Sequence, residues 1–125
     1  MIDKGIVISH LVLWIDSNIE HRLSVEDVAK KSGYSKWHLQ RMFSDETGKS
    51  LGKFIRERKL AYVLEELLVT DESILNLALK YGFESQQSFT RTFTRKYGAP
   101  PHQYRMKAKK KSALMDNFFK QKSIY

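Results

Sequence analysis

Two stretches decide the fold: Ser24 to Gly48, SVEDVAKKSGYSKWHLQRMFSDETG, and Ser73 to Gly98, SILNLALKYGFESQQSFTRTFTRKYG. Laid on each other at a shift of 49 residues, Val25, Val28, Ala29, Gly33 and Tyr34 fall on Ile74, Leu77, Ala78, Gly82 and Phe83. After one inserted residue the shift becomes 50, and Ser35, Leu39, Arg41, Phe43, Gly48 and Phe54 fall on Ser85, Phe89, Arg91, Phe93, Gly98 and Tyr104. Shared apolar and glycine positions at a fixed period mark an internal duplication, in which each copy is one supersecondary unit.

Each copy reads as two helices around a glycine turn. Ser24 is a favourable N-cap for a helix whose inward positions are Val25, Val28 and Ala29. That helix ends at Gly33, the residue type that tolerates the left-handed conformation after a helix. Ser35 then caps a second helix, Lys36 to about Thr47, with Leu39, Met42 and Phe43 at i, i+3 and i+4 on its buried side. In the second copy Ser73 starts the short helix, Gly82 stops it, and Ser85 starts the next, with Phe89 and Phe93 inward. The pairs Ala29/Gly33 and Ala78/Gly82 bring a small residue to each helix crossing and a glycine to each turn. This is the helix-turn-helix plan, twice.

Three further helices surround the copies. Ile6 to Ile19 carries Val7, Leu11, Trp14 and Ile15 on one stripe and is expected to pack on the first copy. Residues 50–69 carry Leu51, Phe54, Ile55, Leu60, Leu64, Leu67 and Leu68 at helical spacing and join the copies. A helix of that length is about 30 Å long, near the roughly 34 to 36 Å that separates successive major-groove faces of B-DNA. Pro101 suits the first position of a final helix containing Tyr104. The expected fold is all-α with about seven helices. It divides into a helix-turn-helix subdomain at 1–49, a connecting helix at 50–69, a second such subdomain at 70–108 and a basic tail at 109–125.

Composition narrows the function classes. The chain has 125 residues, 42% hydrophobic and 29% charged, enough apolar content for a packed core. With no cysteine there is no disulfide, thiolate metal site or cysteine nucleophile. His10, His21, His38 and His102 are scattered without ligand spacing, so no metal and no cofactor is expected. No apolar run reaches the roughly 18 to 20 residues of a membrane span, which leads to the expectation of a cytoplasmic protein. Glu65-Glu66 and Asp71-Glu72 fall where a solvated helix face and a turn put acids, and no glycine-rich phosphate loop occurs, so an enzyme is not expected. The net charge is +8, and Arg95 to Tyr125 accounts for all of it, with nine Lys/Arg against one Asp. Basic surplus of this kind attracts polyanions. A nonspecific nucleic-acid or membrane-surface binder working through that end, with Leu114, Met115, Phe118 and Phe119 on one stripe, is the rival reading.

In the second copy Gly82-Phe83, Ser85, Ser88-Phe89, Arg91, Phe93, Gly98, Pro101 and Tyr104-Arg105 follow a signature. By it the chain resembles the AraC/XylS family of regulators. GYSKWHLQRMF and GKSLGKFIRERK in the first copy, and GFESQQSFTRTF in the second, are similar to its small MarA-, SoxS- and Rob-like subgroup. The resemblance covers roughly Ile6 to Lys107. It implies a transcription activator of bacterial stress and antibiotic-resistance genes that recruits RNA polymerase. Without a separate sensor domain, control through the protein's own abundance is expected.

Within the first reading helix the outward stripe is Trp37, Gln40, Arg41 and Ser44. Arg donates two hydrogen bonds to guanine O6 and N7, and Gln pairs with adenine N6 and N7. An indole on a solvent face is rare unless it covers a partner, so Trp37 either meets a thymine methyl or folds back as core. In the second reading helix Gln86, Gln87, Thr90 and Arg91 are the base-reading candidates. Arg41 and Arg91 alternatively form salt bridges within their units. Ser35, Lys36, Lys49, Lys53, Arg56, Ser85, Arg95 and Lys96 flank the reading helices as candidate phosphate contacts, or as solvated charges. Because the two reading helices differ in sequence, an asymmetric double-stranded DNA site bound by a monomer is expected, not a palindrome bound by a dimer.

Overall fold

The computed structural model describes residues 3–20 and 22–122. His21 and residues 123–125 of the expected tail lie outside the described residues. Among the described residues there are seven helices and no strand: α1 (Lys4–Ser17), α2 (Val25–Ser32), α3 (Lys36–Thr47), α4 (Leu51–Val69), α5 (Ile74–Lys80), α6 (Gln86–Tyr97) and α7 (Pro101–Lys122). The all-α class with two helix-turn-helix units on a connecting helix is therefore observed.

Serine starts five of these helices. The hydroxyls of Ser24, Ser35, Ser50, Ser73 and Ser85 accept the backbone N–H of Asp27, His38, Lys53, Asn76 and Ser88 in turn. Each satisfies a donor that the first helical turn leaves open, worth about 1 kcal/mol. At Ser24 the Asp27 carboxylate also accepts the cap's own N–H at 2.9 Å, closing a capping box. Both turns between paired helices need φ near +79°, which Gly33 and Gly82 supply. After α5 the chain closes a Schellman arrangement, with Phe83 N–H donating to Ala78 and Gly82 N–H to Leu79.

Helix α4 is the common wall of both units. Toward α3, the Phe54 ring stands edge-on to Phe43 at 5.1 Å. Toward α7, the buried Arg105 donates from Nε to the Leu67 carbonyl at 2.9 Å, occupying an acceptor that the end of α4 leaves open. Helix α4 buries Leu51, Ile55, Leu60, Val63 and Leu67. The first unit adds Val28, Leu39, Met42 and Phe43 to the core, with α1 contributing Ile8, Leu11 and Ile15. The second unit is aromatic: Phe89, Phe93, Tyr97 and Tyr104 form a run of ring contacts between 4.7 and 5.9 Å. Ion pairs fasten the edges, with Arg58 of α4 gripping Asp16 of α1 through two nitrogens, and Lys80 of α5 meeting Glu66 at 2.7 Å.

Several boundaries differ from the sequence reading. Helix α1 begins at Lys4 and ends at Ser17, because the Asp3 side chain accepts from Gly5 N–H and Asn18 closes the other end. Its buried face is Ile8, Leu11 and Ile15, with Val7 and Trp14 only partly buried. In α4 the buried position is Val63, and Leu68 is exposed. The segment from Lys109 onward continues α7 as helix to Lys122, with Leu114, Met115 and Phe118 exposed.

Two predictions follow from this packing. Phe93→Ala removes a fully buried ring that touches three others and should cost about 3 to 5 kcal/mol of unfolding free energy, read by urea titration. Burial works to raise the Glu66 carboxyl, but the Lys80 and Tyr81 hydrogen bonds and the Lys80 charge hold it below the ordinary 4.5. The stability this pair contributes is present above that value and lost as pH falls through the depressed one. Wild type should therefore lose more stability on acidification than Glu66→Gln, and equal losses would show the pair to be idle.

Candidate nucleic-acid interface

Helix α3 buries Leu39, Met42 and Phe43, and that burial turns Trp37, Gln40 and Arg41 outward. Trp37 is 68% exposed, so it does not fold back as core. Its indole lies under the Arg41 guanidinium at 5.5 Å, a cation–π contact worth about 0.5 to 1 kcal/mol at an exposed site. The ring thus shelves a guanidinium without consuming its hydrogen-bond donors. Among the described residues neither Arg41 nor Arg91 enters a salt bridge, so the structural alternative for these two arginines is not realised.

On α6 the burial of Phe89 and Phe93 leaves the opposite face free. Gln86, Gln87, Thr90 and Arg91 line one open depression there, together with Thr94 and Arg95. Thr94 Oγ1 donates to the Thr90 carbonyl at 2.7 Å, which fixes the hydroxyl inside that face. Arg95, expected among the phosphate contacts, shares the depression with the four expected readers.

The flanking set divides by partner. Ser35 and Ser85 spend an acceptor lone pair on capping, and their hydroxyl protons remain available to an anion. Lys36 pairs with Glu26 at 2.6 Å, and this hydrogen bond first among its neighbours holds the Glu26 carboxyl below its ordinary range. Arg56 and Lys53 are exposed on α4. Lys49, just after α3, meets Glu57 of α4 at 2.8 Å, and Lys96, at the end of α6, approaches the same carboxylate at 3.9 Å. The ends of the two reading helices therefore converge on one side of α4. Glu57 is the residue that sequence reasoning missed. Its only signal was being the sole acid between Lys49 and Lys59.

Among the described residues no group of three or more His, Asp or Glu is placed to hold a metal, and no helix is long and apolar enough to cross a membrane.

A helix-turn-helix domain family matches residues 21–107. The multiple antibiotic resistance protein MarA of Escherichia coli strain K12 is 54% identical over 102 residues, covering 82% of this chain and 80% of MarA. The right origin-binding protein of the same strain is 45% identical over 103 residues, covering 82% of this chain and 36% of that longer protein. A solved AraC-type regulator from Chromobacterium violaceum superposes with a TM-score of 0.74 at 28% identity, covering 82% of this chain and 91% of the other.

The exposure of Trp37 separates binding from stability. Trp37→Ala should leave the unfolding free energy within about 1 kcal/mol, the size of the lost cation–π contact, while weakening duplex binding. Thermal melting and fluorescence anisotropy on a labelled duplex measure the two, and a large loss of stability would return Trp37 to the core.

Proposed function

Because the chain belongs to the AraC/XylS family of helix-turn-helix regulators, in its MarA- and Rob-like subgroup, we propose that it binds an asymmetric DNA site as a monomer and activates transcription there. At the coarser level it is a DNA-binding transcription regulator. The relatives are regulators, not enzymes.

One observation carries the finer reading. Each unit exposes a polar, donor-rich face on its second helix, and the trailing ends of those helices meet at Glu57, which supports a reading in which both faces serve the same flank of α4. With 19 residues, α4 is about 28 Å long, within reach of the roughly 34 Å between successive major-groove segments. Helix α3 enters one segment, where Arg41 addresses guanine, Gln40 adenine, and Trp37 a thymine methyl or sugar edge. Helix α6 enters the next, with Gln86, Gln87, Thr90 and Arg91 toward the bases. Ser35, Lys36, Lys49, Lys53, Arg56, Ser85, Arg95 and Lys96 hold phosphates and set the register. The basic stretch from Arg95 onward supplies long-range attraction, since the rest of the chain is neutral.

The gene class and the step that follows binding come from the relatives. MarA is by its name a multiple antibiotic resistance protein. We assign this chain a comparable role in stress and antibiotic-resistance genes, acting in the cytoplasm by recruiting RNA polymerase once seated on its site.

Selection from a random duplex pool should return a two-part, non-palindromic motif whose halves lie about one helical turn apart. On that motif Arg41→Ala and Arg91→Ala should each relax preference at one position, by about 1 to 3 kcal/mol, in different halves. A palindromic motif, or two chains per duplex in sedimentation, would overturn the monomer reading. A purified polymerase transcribing no better with the protein than without it would overturn the activation step.

A further inference from the structure

Three basic side chains surround Glu57. Lys49 reaches it from the turn after α3, Lys96 from the end of α6, and Lys53 adds its charge from one helical turn earlier on α4. The Glu57 side chain is partly buried, with 21% of its surface exposed, whereas the Lys49 and Lys96 side chains remain about half exposed, at 50% and 46%. The acid is seated and the lysines are free to turn away. Hydrogen bonding from Lys49 first, with the charges of Lys49, Lys96 and Lys53, outweighs burial and lowers the Glu57 carboxyl from its ordinary value.

We propose that Lys49, Lys53 and Lys96 form one station for the DNA phosphates that cross between the two major-groove segments, and that Glu57 is its built-in counter-ion. This rests on the DNA-binding reading above. Between successive major-groove faces on one side of a duplex the backbone must pass across the protein, and these lysines meet where the trailing ends of the two reading helices approach one another. With DNA absent, Glu57 occupies the position of an anion. Binding is then an exchange of carboxylate for phosphate at the lysines, not an addition of phosphate to free cations. An internal anion of this kind lowers affinity for every duplex by a similar factor. Such a factor leaves the ratio between matched and mismatched sites unchanged and sets how tightly all duplexes are held. Glu57 thus sets overall affinity by positioning the lysines, without touching a base.

The reading separates from a purely structural ion pair through salt dependence. Removing the one anion from the lysine cluster leaves one more net positive charge to neutralise phosphate, which steepens the slope of log K against log salt by about 0.9. Glu57→Gln should bind matched and scrambled duplexes more tightly, with the slope steeper by about 0.9 and the affinity gain roughly three- to fourfold larger at 50 mM than at 200 mM salt. A structural tie alone predicts a lower melting temperature and an unchanged slope, which would sink the proposal. Lys96→Met tests it without removing the acid: its cost in affinity should be larger in the Glu57→Gln background than in wild type. Equal costs in both backgrounds would mean that Glu57 does not restrain Lys96, and overturn the exchange. If the wild-type chain binds no duplex at all, the DNA-binding reading itself has failed, a result distinct from either of these.

Discussion

Helix α4 has to satisfy two different cores at once, and that demand organises the molecule. Leu51, Ile55, Leu60, Val63 and Leu67 run along it as one buried series, meeting the first unit near Phe54 and the second near Leu67. A helix-turn-helix pair is too small to bury much apolar surface by itself. Sharing one wall gives both units enough contact to hold their second helices still. The ion pair of Arg58 with Asp16 and that of Lys80 with Glu66 lie along the same helix and set how each unit leans on it. The exposed faces of α3 and α6 follow as the remainder, because the residues that must be buried leave only those directions free.

The two units reach similar geometry with different chemistry. The first fills its core with aliphatic residues, Met42 and Phe43, and carries on its outer face a large aromatic beside an arginine. The second relies on a run of contacting rings and offers a face of amides and hydroxyls. A duplicated scaffold has thus diverged on the outside, while the glycine turns and serine caps stayed in register.

Much of this was legible in the chain. Serine caps and glycine turns act within a few residues, so the bounds of α2, α3 and α6 could be read locally. The outward stripe at Trp37, Gln40 and Arg41 was readable because the inward positions Leu39, Met42 and Phe43 are unambiguous. Helix α1 was harder: it is apolar on nearly every side, so periodicity gave no clear choice between Val7 and Ile8. In α4 the neighbours Leu64, Leu67 and Leu68 are equally apolar, and only packing against α5 and α7 distinguishes them. The meeting of Lys49 and Lys96 at Glu57 left no local trace, since a charge pair between distant segments has no period or spacing. Sequence alone reports each lysine as a separate solvated charge or phosphate contact.

The unbroken helicity of α4 has a consequence for how such a protein changes over generations. An inserted residue in its middle would lengthen it by about 1.5 Å and also swing one unit through about 100° relative to the other. Short insertions and deletions there are forbidden steps, and only changes near whole turns preserve a usable pair of faces. With that spacing inherited intact, the proposed reading has new target sites arise by changes on the outer faces of α3 and α6 and not by stretching the distance between them.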